Sequence, residues 1–142
     1  MDELPDAIFE RVTELSEQGN AAMEDGDYAR AVMLWREALG LLPAPEKKWS
    51  AAMWLHGSIG DAQRASGDIE DGLSSFQSAA ATVDGAQNPF IQYGLGISLL
   101  DMGRTEEATD PLLRAYMLAG TEIFQEDDPR YLQHLMKQGL VK

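Results

Sequence analysis

The stretch from Gly19 to Pro43, GNAAMEDGDYARAVMLWREALGLLP, decides how the rest of the chain is read. Its marker residues are Gly19-Asn20-Ala21, Gly26-Asp27-Tyr28, Ala31, Trp35, Ala38-Leu39, Leu41 and Pro43. Just upstream, Ile8, Val12, Leu15, Gly19 and Ala22 recur at steps of four and three, so a helix from about Leu4 to Met23 carries one apolar face. Gly26-Asp27 turns the chain, and a second helix runs from about Tyr28 to Leu42, where Pro43 stops it. The outcome is a helical hairpin.

Two more copies of this pattern follow. The second has Gly60-Asp61-Ala62, Gly67-Asp68-Ile69, Gly72, Phe76 and Ala79-Ala80; the third has Gly96, Gly103-Arg104-Thr105, Ala108, Leu112, Ala115-Tyr116 and Leu118. The spacing resembles the tetratricopeptide repeat (TPR), a two-helix unit of about 34 residues. That resemblance implies an all-α fold: three TPR-like helical hairpins in a right-handed superhelix plus a C-terminal capping helix. It places a single domain over residues 1–142, with repeats at about 4–43, 46–84 and 88–120 and an extension over 121–142. The first junction is longer than the repeat requires, and Pro43-Ala44-Pro45 reads as its connector. The surplus predicts an extra N-terminal turn or two on a helix from near Glu46 to Ser66, followed by one from Ile69 to Val83. Asn88-Pro89 reads as an N-cap with proline at the first helical position, opening a helix to Met102; its partner spans Thr105 to Ala119. Residues 121–127 read as irregular. Asp128-Pro129 repeats the cap-then-proline start for a short helix to near Gln138. Tyr131, Leu132 and Leu135 on it suit covering the open face of the last repeat.

Within the resemblance, Gly19, Gly60 and Gly96 mark the closest approach of paired helices, and Ala31, Gly72 and Ala108 meet them from the second helix. Trp35, Phe76 and Leu112 are plugs between units, and Ala38, Ala79 and Ala115 admit the next repeat. Trp49 is expected against the second helix of repeat one. None of these is expected to touch a ligand.

The composition sets the limits. With 142 residues and 44% apolar content the chain can bury a core. No run approaches the length of a membrane span. The N-terminal Met1-Asp2-Glu3-Leu4-Pro5-Asp6 is acidic where a secretory signal is basic and then apolar, so a cytoplasmic protein is expected. There is no cysteine, which excludes disulfide and thiolate chemistry. The formal charge of −13, from 24 acidic and 11 basic residues, repels nucleic acid and anionic membranes and favours a basic protein partner. It also serves solubility alone. Nine of the acidic residues lie between Asp2 and Asp27 against the one cation Arg11. Glu3, Glu10, Glu14, Glu17 and Glu24 form a stripe opposite the apolar face, read either as steering a basic partner or as a solvated outer surface.

In the family that this pattern resembles, the first helix of each repeat lines a concave groove. Carried over by position, the partner-binding residues are Thr13, Ser16, Asn20, Met23 and Glu24 from the first repeat. Trp54, Gly57, Asp61, Arg64 and Ala65 come from the second, and Phe90, Tyr93, Ile97, Leu100 and Asp101 from the third. Trp54, Phe90 and Tyr93 are the expected aromatic anchors. The alternative is that the 121–138 tail folds back over Phe90 and Ile97. Cochaperone repeats that clamp a C-terminal carboxylate place Lys or Arg beside Asn on these helices. Here Ser16, Glu24, Ala65 and Asp101 stand at such places beside Asn20, so that clamp is not expected.

Catalytic signatures are missing. His56 and His134 are the only imidazoles, and His56 stands where the repeats that the chain resembles place a large core residue, so a packed side chain is expected. No His or Cys pairing has zinc spacing, and Glu126-Asp127-Asp128 lacks the alternation and glycine of a calcium loop. Each glycine fits a repeat position or a turn, and no serine sits in a nucleophile elbow. A non-enzyme with no cofactor and no metal is expected.

A narrower resemblance rests on Leu42-Pro43-Ala44-Pro45 with Trp49 and Trp54, on Asn88-Pro89-Phe90, and on Leu113-Arg114-Ala115-Tyr116-Met117-Leu118-Ala119-Gly120. It extends to Ile123-Phe124-Gln125-Glu126-Asp127-Asp128-Pro129-Arg130-Tyr131. These phrases resemble small bacterial three-repeat proteins found near polymorphic toxins. The resemblance implies an immunity protein that binds and neutralises a basic toxin domain. Another role in which three such repeats cradle an extended segment of a partner is that of a secretion chaperone or assembly adaptor.

Overall fold

The computed structural model describes residues 3–125 and 127–141; Met1, Asp2, Glu126 and Lys142 lie outside the described residues, and with them parts of the two acidic runs noted above. Seven α-helices form among the described residues: α1 (Asp6–Glu24), α2 (Tyr28–Gly40), α3 (Ser50–Ala65), α4 (Ile69–Ala80), α5 (Pro89–Asp101), α6 (Thr105–Ala119) and α7 (Pro129–Lys137). Each helix packs chiefly on the next, so α1–α2, α3–α4 and α5–α6 are antiparallel hairpins stacked in an all-α superhelix. α3 also touches α5, and α7 packs on α6.

The hairpin turns follow from one local device. Gly26, Gly67 and Gly103 have φ of +78°, +91° and +79°, a left-handed conformation that glycine adopts without steric cost. The next amide then reaches five residues back: Asp27 to the Ala22 carbonyl, Asp68 to Gln63 and Arg104 to Leu99, at 2.8–2.9 Å. This Schellman geometry satisfies the last carbonyls of the first helix. Asp27 then caps α2 by accepting from the Arg30 amide. Asn88 and Asp128 cap α5 and α7 in the same way, each with proline at the first helical position.

Packing between the hairpin helices depends on a plug seated on a glycine. A β-carbon at Gly19 would lie 2.2 Å from Trp35 Nε1, one at Gly60 2.9 Å from the Phe76 ring, and one at Gly96 2.4 Å from Leu112 Cγ. Phe76 presses equally on Gly94 of the next unit, where an added β-carbon would stand 2.3 Å from its ring. Thus one phenylalanine joins repeats two and three. α5 is apolar round most of its circumference because α3, α4, α6 and the C-terminal segment surround it. The end of the stack is closed by Tyr131 and Leu135 of α7, which join Leu112, Ala115 and Phe124 in one buried cluster. Burial of such a side chain contributes about 1.5–3 kcal/mol.

Three segments differ from expectation. The helix expected from Glu46 starts only at Ser50; Glu46–Lys48 forms a separate 3₁₀ turn and Trp49 is extended, with φ −96° and ψ 131°. The break lets the Trp49 ring drop into the first core beside Trp35, Leu39 and Leu42, where its Nε1 donates to the Pro43 carbonyl at 2.6 Å. α4 ends at Ala80 rather than Val83, because Thr82 Oγ1 takes the Ala79 carbonyl and Asp84 turns left-handed at φ +66°. The stretch expected to be irregular after Gly120 instead forms a 3₁₀ turn over Gly120–Phe124 that buries Phe124.

Candidate functional site

The inner faces of α1, α3 and α5 border a groove with two compartments. Along α1, Phe9, Thr13, Ser16 and Asn20 follow one another at steps of four, three and four and face the first compartment. Trp54, Leu55 and Ser58 of α3 stand opposite, Val12 and Trp35 form part of the floor, and Val83-Asp84 closes one edge. The compartment measures about 1020 Å³. Glu3, Asp6, Glu17 and Asp84 give its border a negative charge, with Lys48 as a cation whose Nζ sits 4.6 Å above the Trp49 ring. Phe9 is 59% exposed and Trp54 51%, so the wall is both acidic and aromatic.

The second compartment, about 590 Å³, lies between α3 and α5 and shares Trp54 and Ser58 with the first. Gly57, Asp61, Arg64 and Ala65 line it from α3, Phe90, Tyr93, Gly94 and Ile97 from α5, and Asp127 from the chain before α7. The Asp61 carboxylate accepts no hydrogen bond from any described residue. Although it opens onto the groove, protein crowds round it in the concavity; desolvation lifts its pKa to about 6, against a lowering by the Arg64 charge.

Arg64 is committed elsewhere. Its Nη1 donates to Asp101 Oδ2 at 2.9 Å and to Ser98 Oγ at 3.4 Å, and its Nη2 to Tyr131 Oη at 3.4 Å. Tyr131 Oη donates in turn to the Asp101 carboxylate at 2.9 Å, and Arg130 pairs with the same carboxylate. Burial works against the Arg64 charge, but its hydrogen bonds to Tyr131 and Asp101 outweigh that and hold its pKa above the usual value. Beside this knot Tyr93 donates to Asp127 at 2.8 Å, and its ring meets Phe124 and Tyr131 edge-on, at 5.1 and 6.2 Å. Burial foremost, then the Asp127 hydrogen bond, raises the Tyr93 pKa strongly, so the phenol stays protonated. Tyr131→Phe removes the donor to Asp101 and is expected to cost about 1.5–3 kcal/mol in urea unfolding. A loss under about 0.5 kcal/mol would mean that the two arginines satisfy Asp101 without it.

No family model matches the chain, and no curated protein does either. Solved structures do. The C-terminal TPR-containing domain of a Plasmodium falciparum protein superimposes with a TM-score of 0.76 at 16% identity, over 97% of this chain and 95% of that one. The Yersinia enterocolitica type III secretion chaperone SycD, in complex with a peptide of the translocator YopD, gives 0.70 at 20% identity, over 91% and 92%. The Sgt2 TPR domain from Aspergillus fumigatus gives 0.68 at 21%, over 89% and 75%. The fold is the TPR fold.

On this TPR scaffold the expected groove residues divide. Thr13, Ser16 and Asn20 meet Trp54 in the first compartment, and Trp54, Asp61, Arg64, Phe90, Tyr93 and Ile97 meet in the second. Met23 packs half-buried against the first core and Glu24 is exposed outside both. Leu100 packs into the third-repeat core, and Asp101 is taken up by Arg64, Arg130 and Tyr131. Tyr93 is buried beneath the C-terminal segment instead of standing exposed as an anchor, whereas Phe90 stays 61% exposed. The fold-back therefore covers the Tyr93 and Asp101 side of α5 and leaves Phe90 open. Of the acidic stripe, Glu3 and Glu17 border the groove; Glu10 and Glu14 do not, and Glu14 pairs with Arg11 at 2.9 Å. His56 is not simply packed: its Nε2 lies 2.6 Å from Glu46 Oε1. Phe9 and Asp127 went unanticipated. Phe9 precedes Thr13 by one helical turn on the same face and was readable from that period; Asp127 arrives by long-range folding and had no local signal.

Proposed function

We propose that this chain is a cytoplasmic protein-interaction module, not an enzyme, that cradles an extended segment of a partner protein as a chaperone or assembly adaptor does. The observation that carries this reading is the continuous groove with three exposed aromatic rings, Phe9, Trp54 and Phe90, on its walls. Large apolar side chains gathered in one concavity are stabilised when another chain covers them, and aromatic residues ringed by polar ones are the usual composition of a binding hot spot. The likeness to SycD, solved with a translocator peptide, agrees with such an occupant.

A second reading is the immunity role, in which a folded basic toxin domain is bound and blocked. The net charge of −13 and the exposed Glu10 and Glu14 favour it, since they face away from the groove and suit a broad basic surface. One experiment separates the two. The partner is recovered with the tagged chain from its own cells, and fragments of it about 15 residues long are titrated against the chain. A fragment binding within about tenfold of the intact partner supports the groove reading. Binding only by the folded domain, with an association rate falling steeply as salt rises, rejects it in favour of immunity.

A further inference from the structure

The second compartment presents an unusual combination. It has a carboxylate that accepts no hydrogen bond from the described residues, two exposed aromatic faces, and a cation already paired with a carboxylate. Asp61 supplies the first, Trp54 and Phe90 the second, and Arg64, held by Asp101 at 2.9 Å, the third. Asp127 adds a further negative charge at the edge, where it accepts from Tyr93.

An apolar side chain filling the space would strip water from the exposed Asp61 carboxylate and leave it unpaired, which is costly. An acidic side chain would face two carboxylates. A metal ion finds no group of three ligating side chains among the described residues. A lysine or arginine side chain meets every feature at once: its charge faces Asp61, and its stem or planar head lies along Trp54 and Phe90.

We propose that the compartment between α3 and α5 is a subsite for a lysine or arginine side chain of the partner segment, with Asp61 as its counter-ion. The inference rests on the groove reading and names the chemistry the groove selects. It also makes binding sensitive to pH. The groups facing Asp61 are Arg64 on its own helix, Tyr93 on α5 and Asp127 before α7. With its pKa pushed up to about 6, Asp61 gains charge between pH 5 and 7, so affinity for a cationic segment is expected to rise with pH over that window. Folding responds with the opposite sign. The folded pKa lies above the ordinary aspartate value of 3.8, so the folded state holds the extra proton and stability falls as pH rises from about 4 to 6.

The test is a selection of random 12-residue peptides displayed on phage, made on the full chain at pH 7, with Trp54→Ala as counter-selection and Asp61→Asn as the probe of the subsite. The expected result is peptides with Lys or Arg among apolar residues. Replacing that cation by norleucine should weaken binding about fivefold to the natural chain and less than about twofold to Asp61→Asn. Affinity for the cationic peptide should rise about threefold from pH 5 to 7 on the natural chain and stay flat on Asp61→Asn. Peptides that need Trp54 but carry no cation, or whose cation counts equally on Asp61→Asn, overturn this inference and leave the groove reading standing. Selection of no peptide that depends on Trp54 overturns both.

Discussion

Trp35→Ala is expected to cost about 3–5 kcal/mol of folding stability, the largest effect of any single truncation in the first repeat. The ring is 3% exposed, lies directly over Gly19 and donates from Nε1 to the Ser16 carbonyl at 3.3 Å. Its loss leaves a cavity at the centre of the α1–α2 contact, and the neighbouring helices can close it only by shifting against Leu15 and Ala31. Net stabilities of such domains are about 5–15 kcal/mol, so the effect would consume a large share of the total. Urea unfolding followed by far-ultraviolet circular dichroism measures it, and a loss below about 2 kcal/mol would mean the site collapses freely. Gly19→Ala in the natural chain forces a methyl into the Trp35 ring and is expected to destabilise by about 1–3 kcal/mol. Made on top of Trp35→Ala, it meets no ring and should stabilise by about 0.5–1 kcal/mol, because alanine is the better helix former. The sign reverses only if plug and glycine act as one device.

Trp54→Ala is expected to weaken partner binding by about 2–4 kcal/mol, a rise in Kd of about 30- to 1000-fold. Trp54 is the large side chain common to both compartments, and it is half exposed in the unbound chain. The buried half of its ring gives truncation a folding cost of about 1–3 kcal/mol as well, so binding is measured where circular dichroism shows both proteins fully folded. Most of the change should appear in the dissociation rate, which surface-plasmon measurement with the recovered partner resolves. Met117 is 75% exposed and lines neither compartment, and Met117→Ala should leave Kd within about twofold. Equal effects at Met117 and Trp54 would place the interface on the outer surface.

Much of this architecture could be read from residue spacing, for identifiable reasons. The Gly-Asp turns at 26–27 and 67–68 and the Asn88-Pro89 and Asp128-Pro129 helix starts are local. Their geometry depends on a few adjacent residues, and the structure has them where the pattern placed them. The start of α3 was not legible, because the extended backbone at Trp49 exists to bury a ring against α2, a tertiary demand that outweighs helix propensity. The same division runs through the candidate site. Thr13, Ser16 and Asn20 share a face by helical period alone. The states of Tyr93 and Asp101 depend on Asp127, Arg130 and Tyr131, about 30 residues further along, and no periodicity in α5 announces them.

The knot of Arg64, Asp101, Arg130 and Tyr131 has a consequence for how the array comes apart. Stacked repeats ordinarily hold only their neighbours and can peel from either end like a zipper. Here α3, α5 and α7 are fastened together by one set of charges, so the last helix cannot lift away without loosening the middle hairpin as well. The first hairpin lies outside that fastening. Fraying is therefore expected to begin at the first hairpin, whose α1 carries Phe9 and most of the acidic stripe, while the rear two-thirds open as a single unit.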